Sequence, residues 1–552
     1  MSERSTSRPG GDGGPPPTGG LRPTSVAPSA VATIATAVSA RLDLLGGATV
    51  DTTVTGATLR AQDVVAGDLF AALPGARVHG AQFAVDAVDA GATAVLTDPA
   101  GAALLQSSVP PGTSVAVLVH PDPRAVLGAV CARVYGDPSR RLRLIGITGT
   151  SGKTTTSYML ESALMAAGHT VGLIGTVETR IGGVRQPSSL TTPEAPALQA
   201  LLATMVEQGV DTVVMEVSSH ALALGRVRGA RFAIGAFTNL SQDHLDFHPT
   251  MLDYFEAKSR LFVPVPSELT LPGSSEQAAR AVVCVDDEWG TRLAGMVGDD
   301  AVTVSTQNSA AAWFAGPSEL AADGSQTVSV RTPSGTDHTL RVPLPGRYNV
   351  ANAVVALAVA DAAGVGVDDA TRGIADVRVP GRVELVERGQ DFLAVVDYAH
   401  KPAALDAVIA TLRGQGDGRL AVVVGAGGNR DVGKRPLMGA AAARGAHLVV
   451  VTDDNPRDED PALIRAAVRA GADGVAADER PAGADDVVEI GDREKAIRHA
   501  ITWARTGDIV LVAGKGHETG QEVAGVKTPF DDRLVVAQAI DDRPTHDEGG
   551  TA

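Results

Sequence analysis

The chain has 552 residues, 44% hydrophobic and 20% charged, so it is an ordinary globular composition spread over more length than one core supports; three or four domains are expected. Its net charge of −17 and an aromatic content of only 3% argue against a nucleic-acid groove or a base-stacking surface as the main one. Two cysteines far apart in sequence, Cys131 and Cys284, exclude a disulfide framework and read as small buried hydrophobes of a reducing compartment, the cytoplasm, and no strongly apolar run is long enough to span a membrane.

Residues 1–28 are rich in Ser, Gly, Pro and Arg and are expected to form a disordered tail, as are residues 543–552. The Ala-rich stretch after Arg22 imitates a signal peptide. It lacks Leu and Phe up to Ala40 and is interrupted by Pro28, so it reads better as a weakly amphipathic first helix. Residues 29–140 alternate short apolar runs (69–73, 94–96) with a helical segment at 81–91, the pattern of a small α/β domain. Residues 141–379 begin with an apolar run at 142–147, and buried strands recur at 171–175, 212–217 and 233–237 with helical stretches between. A Pro/Ser/Gly-rich patch at 263–276 reads as an inserted loop. Residues 380–542 repeat the alternation, with strands at 393–397, 420–425, 448–452 and 508–513. The fold class is therefore α/β: a small N-terminal α/β domain, a central phosphate-loop domain on a mostly parallel sheet, and a C-terminal Rossmann-like domain.

The central domain opens on Gly146-Ile147-Thr148-Gly149-Thr150-Ser151-Gly152-Lys153-Thr154-Thr155. A strand, a glycine-rich turn and a helix N-terminus together make a phosphate cradle, because glycine lets backbone N–H groups approach an anion and the helix dipole favours negative charge there. Lys153 can reach terminal phosphates, and a hydroxyl of Thr154 or Thr155 can face Mg²⁺. The G-x-x-x-x-G-K-[ST] spacing is not met, since Ile147 stands where the first glycine belongs. Glu216 ends a buried strand on the same sheet, a natural place for a magnesium ligand. His244 and His248 are spaced i, i+4, but Leu245 occupies the place of the glutamate in H-E-x-x-H, so a zinc protease site is not expected. Lys258 lies on an amphipathic helix over 254–262, where a lysine is ordinarily solvated.

In the third domain three loops follow three parallel strands: Gly427 to Pro436, Asp453 to Arg457, and Ala513 to Glu518. Loops at the carboxyl ends of parallel strands converge on one crevice. They bring Arg430 and Arg457, which suit carboxylates, together with Asp454 and Glu518, which suit ammonium groups, and Asn455 between them. That is the chemistry of an amino-acid pocket, and a diamino diacid would need both kinds of partner.

Gly149 to Thr155, Glu216 to His220, Asn239 to His248, and Lys258 together resemble the Mur ligases, which build the peptidoglycan stem peptide. The resemblance continues through Gly346 to Asn352, Pro380 to Glu384 and Asp397 to Pro402, and so covers nearly the whole folded chain. It implies ATP and Mg²⁺. ATP would be held by Gly149, Thr150, Ser151, Gly152, Lys153, Thr154 and Thr155, with Asn349 and Asn352 on the adenine side and Arg382 and Asp397 joining as the third domain closes. Thr154, Glu216 and His244 would ligate magnesium, and Lys258 would do so as a carbamate. Lys153, His220, Lys258 and His400 would be the catalytic set. Asp454-Asn455-Pro456-Arg457 resembles the signature of members that add meso-diaminopimelate; lysine has no distal carboxylate for Arg457 to hold. Arg430, Gly514 and Glu518 would complete that pocket, with Pro456 shaping the turn. The acceptor implied is UDP-MurNAc-L-Ala-D-Glu, held by Leu59, Thr191, Thr192, Ser218 and Arg226. The chain departs from the family pattern where Arg60-Ala61-Gln62 replaces Asp-Ser-Arg and where Leu224 replaces a Gln. The implied reaction phosphorylates the D-glutamate carboxylate and lets an amine displace phosphate, in a cytoplasmic monomer. A nucleotide-driven switch protein would share the phosphate loop, but the Asn-Lys-x-Asp guanine reader is missing and the third-domain loops would be unexplained.

Overall fold

Alternation along each central strand decides the architecture. The computed structural model describes residues 21–543 except 76, 187–189, 265–276, 322–323 and 415–417, so the expected loop at 263–276 and both tails fall largely outside the described residues. Among the described residues the middle sheet has 11 strands. At its centre lies the strand Arg143–Thr148, parallel to Thr212–Glu216 on one side and Phe232–Phe237 on the other. Ile145, Ile147 and Val214 face one layer, packed on the helices Lys153–Ala166 and Arg347–Ala362; Leu144, Val213 and Met215 face the other, packed on Ala195–Glu207. Because successive side chains point to opposite faces, strands covered on both sides must be apolar throughout, which is how they read.

The parallel strands continue through Val171–Ile174, Arg280–Cys284, Ala301–Ser305 and Trp313–Leu320. An antiparallel meander, Trp313–Leu320, Gln326–Arg331 and Asp337–Val342, closes one edge. Sequence periodicity singled out only the strands near the phosphate loop. The meander alternates buried and exposed residues (Gln326, Val328 and Val330 in; Thr327 and Ser329 out), a weaker signal than a run of apolar residues.

The first domain has a five-stranded sheet in which Gly56–Thr58, Asp68–Ala71, Ala94–Thr97 and Val115–Val119 are parallel and Arg41–Leu45 is antiparallel. The expected first helix is only Val31–Ala37. Ser29–Ala30 before it forms a strand with Thr53–Val54, and Pro28 immediately upstream cannot supply a helical N–H. Residues 21–28, which composition places in the tail, are tethered. Arg22 meets Asp68 at 2.7 and 2.9 Å, the Thr24 amide donates to Glu207 at 2.9 Å, and Leu21 packs on the middle domain.

The third domain has a six-stranded sheet in which Leu393–Asp397, Ile509–Ala513, Leu420–Val424, Leu448–Val451 and Val488–Glu489 are parallel neighbours in that order. Helices cover both faces. Val395, Val422 and Leu511 belong to one core and Ala394, Val423 and Val512 to the other. Both cysteines are free and buried, as composition suggests, and burial pushes the Cys284 thiol up to about 12 and the Cys131 thiol further.

Beneath the third sheet's loops lies a fully buried ion pair: Arg493 donates to both carboxylate oxygens of Asp532 at 2.8 and 2.7 Å, and also to the Ala513 carbonyl at 3.0 Å. Breaking one side of such a pair leaves an uncompensated buried charge. Arg493→Met is expected to destabilise this domain by about 3–5 kcal/mol, and the double variant Arg493→Met/Asp532→Leu to recover most of that loss. Calorimetric unfolding of the single and double variants checks it; equal destabilisation by both would count against it.

Candidate active site

The phosphate loop is held by its neighbour, the loop after the strand Phe232–Phe237. The Asn239 carbonyl accepts from the Thr150 amide at 2.9 Å, its side chain accepts from the Ser151 amide at 3.0 Å, and Thr238 donates to the Ser151 carbonyl at 2.7 Å. Gly149 and Gly152 have φ of 147° and 85°. A Cβ at Gly149 would fall 2.0 Å from the Thr238 hydroxyl, and one at Gly152 would fall 2.2 Å from the Asn352 side-chain oxygen. Glycine is thus required for conformation and for space. Asn352 therefore lies against the loop itself; its amide donates to Asn349, which donates in turn to the Pro345 carbonyl.

Lysines crowd this loop. Lys153, the first residue of its helix, curls back to the Gly149 and Thr150 carbonyls at 2.9 and 3.1 Å, and burial followed by the nearby Lys401 lowers its pKa to about 8. Lys258 is 1% exposed, contrary to the solvated lysine expected of an arbitrary helix position. Its helix, Met251–Ser259, starts three residues before the apolar pattern because Thr250 caps the Asp253 amide. Lys258 Nζ donates to the Gly149 carbonyl at 2.8 Å and lies 4.6 Å from the centre of the Tyr254 ring. Burial first, then Lys153 and Lys401, push its pKa well below the ordinary lysine value, which favours a neutral amine.

Glu216 is buried at the end of its strand, accepting from Thr154 at 3.0 Å and from the amide and hydroxyl of Thr176 at 2.9 and 2.8 Å. Thr192 donates to the Glu216 carbonyl at 2.9 Å and accepts from the Ser218 amide at 3.1 Å, while the Thr191 hydroxyl meets that of Thr176 at 3.1 Å. Arg226 pairs with Glu194 at 2.8 Å and reaches the Thr192 carbonyl. One contiguous wall therefore runs from the phosphate loop through Glu216 to Thr191, Thr192, Ser218 and Arg226. Leu59 stays in the first domain, packed on its core with Ala195 and Ala200.

His220 stacks on Phe247 with centroids 4.1 Å apart and meets His244 edge-on at 4.8 Å. Burial lowers the pKa of His220, and takes His244 to about 3 and His248 to about 4, so all three are neutral near pH 7. His248 bonds Ser219 at 2.9 Å, a structural partner. Among the described residues no group of three His, Cys, Asp or Glu is placed to hold a metal. Thr154 and Glu216 still offer hard oxygens of the kind that bind magnesium when substrate phosphates supply the rest. Lys258 fits that set of hard oxygens only with its nitrogen converted to a carbamate, because an amine offers no oxygen.

The third domain reaches this wall. Arg382 approaches the Thr154 hydroxyl at 3.4 Å, its guanidinium lying 4.3 Å above Tyr398. Asp397 is buried and turned inward, accepting from the Val383 and Ala399 amides at 2.7 and 2.8 Å. His400 is fixed by the Tyr398 carbonyl at 2.8 Å, and burial followed by Lys401 lowers its pKa well below the usual imidazole value.

The three third-domain loops converge as expected. Asn455 donates to Glu518 at 2.8 Å, and Lys515, fully buried, donates to both Asn455 and Glu518 at 3.1 and 3.2 Å. Asp454 is 6% exposed, its backbone oxygen taken by Gln521, and a Cβ at Gly514 would fall 2.5 Å from its carboxylate. Arg457, at φ 53° after Pro456, donates to the Gly428 carbonyl at 2.7 Å and faces Glu522 at 3.7 Å. Arg430 is exposed at the rim. The residues that sequence reasoning passed over are Thr176, Asp243, Lys401 and Lys515. Lys401 and Lys515 stand inside quoted motifs, but nothing in a motif says which of its lysines is buried.

Comparison with known proteins gives three family matches: the Mur ligase middle domain over 147–360, the Mur ligase glutamate ligase domain over 381–516, and the Mur ligase family catalytic domain over 53–135. UDP-N-acetylmuramoyl-L-alanyl-D-glutamate–2,6-diaminopimelate ligase of Corynebacterium glutamicum is 56% identical over 476 residues, 86% of this chain and 89% of that one. Its Streptomyces avermitilis counterpart is 51% identical over 492 residues, 89% and 93% of the two chains. A solved structure of a ligase of that name is 32% identical, covers 90% of this chain and 96% of its own, and superposes with a TM-score of 0.61.

The cradle geometry gives a test of its own. Gly149→Ala, which forces a side chain into Thr238 and Asn239, is expected to weaken phosphate-ligand binding at least about tenfold, a cost of about 1.4 kcal/mol or more. Calorimetric titration with a nucleoside triphosphate measures it; undiminished affinity would mean that this loop is not the phosphate site.

Proposed function

The chain belongs to the Mur ligase family, and from that premise we propose that it joins meso-diaminopimelate to the D-glutamate of UDP-MurNAc-L-Ala-D-Glu with hydrolysis of ATP, in peptidoglycan precursor synthesis. What supports the reading is that three loops meet on the third domain, Asn455 bonding Glu518 and Arg457 bonding the Gly428 carbonyl, with Asp454 and Arg430 in the same loops, on a domain that docks against a phosphate loop. An ammonium pairs with the carboxylates and a distal carboxylate with the guanidinium groups. The names of the relatives at 56 and 51% identity agree with it.

The work divides by position. Gly149 to Thr155 cradle the phosphates, Asn349 and Asn352 flank the loop on the adenine side, and Arg382 joins from the third domain while Asp397 orders the backbone beside it. Thr191, Thr192, Ser218 and Arg226 hold the acceptor peptide, and Leu59 sits at the uridine end. The γ-phosphoryl group passes to the D-glutamate γ-carboxylate, forming an acyl phosphate and ADP. The amine of diaminopimelate then attacks that carbonyl and expels phosphate. Lys153 and the loop amides stabilise the transferring group. His220 and His400, neutral by burial, can accept a proton from the attacking amine. Magnesium, when bound by Thr154, Glu216, His244 and a carbamylated Lys258, would screen the repulsion between two anions. Docking of the third domain keeps water from the acyl phosphate. Among the described residues no helix is long and apolar enough to cross a membrane, and nucleotide substrates suit the cytoplasm.

Two outcomes are expected. In a ligation assay, meso-diaminopimelate is used and lysine is not, and Arg457→Ala lowers kcat/KM for diaminopimelate by about 10²-fold or more while ATP binding is kept. Equal use of lysine, or equal loss of ATP binding, would overturn the assignment. Lys258→Ala loses activity that a small added carboxylate partly restores, and labelled bicarbonate gives a carbamate carbon signal in the parent protein only. Full activity of unaided Lys258→Ala would remove the carbamate from the scheme.

A further inference from the structure

Three lysine side chains, not two, converge on the phosphate loop. Lys153 and Lys258 belong to the middle domain. The third is Lys401, which precedes the helix Pro402–Arg413 of the third domain. Its Nζ lies 3.4 Å from the Thr150 carbonyl and 2.6 Å from Asp243. The two side chains are 12% and 15% exposed, so this is a largely buried pair across a domain boundary. Asp243 also meets His244 at 3.1 Å.

With Lys258 a neutral amine, Lys153 and Lys401 are the two cations that meet at the loop carbonyls. Glu216 and Asp243 both act on Lys153, but Glu216 is also held by Thr154 and Thr176, and Asp243 is the carboxylate paired with Lys401. Like charges this close repel unless an anion joins them. A cation that reaches the loop only with the third domain has the logic of an arginine finger: it is absent while the domain is away and arrives when the site closes. Asp243 gives its ammonium a fixed point on the far side.

We propose that Lys401 is a phosphate-contacting residue supplied across the domain boundary, pairing with the transferring phosphoryl group, and that Asp243 is the positioning residue that aims it. The proposal rests on the reading that the loop binds ATP. The phosphoryl group leaves the ADP oxygen and bonds to the acceptor carboxylate oxygen; Lys401 forms no covalent bond in the step.

The test is single-turnover phosphoryl transfer, with the full-length protein, ATP and UDP-MurNAc-L-Ala-D-Glu but no diaminopimelate, the acyl phosphate being trapped with hydroxylamine. Lys401→Met is expected to slow this step by about 10²-fold or more, with nucleotide affinity changed by less than about threefold and an unchanged X-ray scattering radius. Lys401→Arg, which keeps the charge, is expected to retain much of the rate, and Asp243→Asn to fall between the two. A full phosphoryl-transfer rate in Lys401→Met would overturn the proposal. So would a loss explained by an expanded, open molecule, which would make Lys401 a latch only. If Lys401→Met does not fold, Lys401→Gln is measured under the same criteria. A parent protein that binds no ATP and forms no trapped product would instead refute the ligase reading.

Discussion

The site is organised by three lysine side chains gathered on two backbone carbonyls. In a chain of net charge −17, Lys153, Lys258 and Lys401 come together at the Gly149 and Thr150 oxygens. Such a cluster is unfavourable unless the scaffold is rigid, and each neighbouring feature supplies rigidity. Asn239 and Thr238 clasp the loop, Tyr254 lies beneath Lys258, and glycines at 149 and 152 leave no room for side chains that would push the loop outward. A polyanion relieves the repulsion, so ligand binding and local stabilisation are the same event.

The third-domain loops proposed to hold the amino acid follow the opposite rule. Their floor is neutral overall, because Arg493 and Asp532 cancel in full burial, and their wall residues are tied to one another through Asn455 and Lys515. The side chains that would meet a ligand lie above that floor. A rigid, internally compensated base beneath charged and less constrained groups lets recognition depend on the ligand's charges and not on rearrangement of the protein.

Much of this was legible in the sequence for local reasons. A strand, glycines and a lysine at a helix start are contiguous, and so are the three loops after parallel strands. What was not legible depends on packing between distant segments. Lys258 sits on a helix whose pattern looks half-solvated, and only the phosphate loop lying over it buries the amine. Asp243 stands in a stretch whose histidines draw attention first, and its partner is 158 residues away in another domain. Arg22 lies in a segment that composition reads as tail, and the buried carboxylate of Asp68, with the Asp63 carbonyl, holds it. The antiparallel meander from 313 to 342 was missed because half of each strand is polar and faces solvent.

The two thiols matter for a practical reason. Cys131 lies in the first domain and Cys284 in the middle one, both buried and with raised pKa values, so neither presents a thiolate to a maleimide near neutral pH. The native background is chemically silent toward such reagents. A pair of cysteines introduced at exposed sites, one on the middle domain and one on the third, could carry donor and acceptor dyes without removing either natural thiol. The approach of the third domain to the phosphate loop then becomes a distance that can be followed in single molecules during turnover.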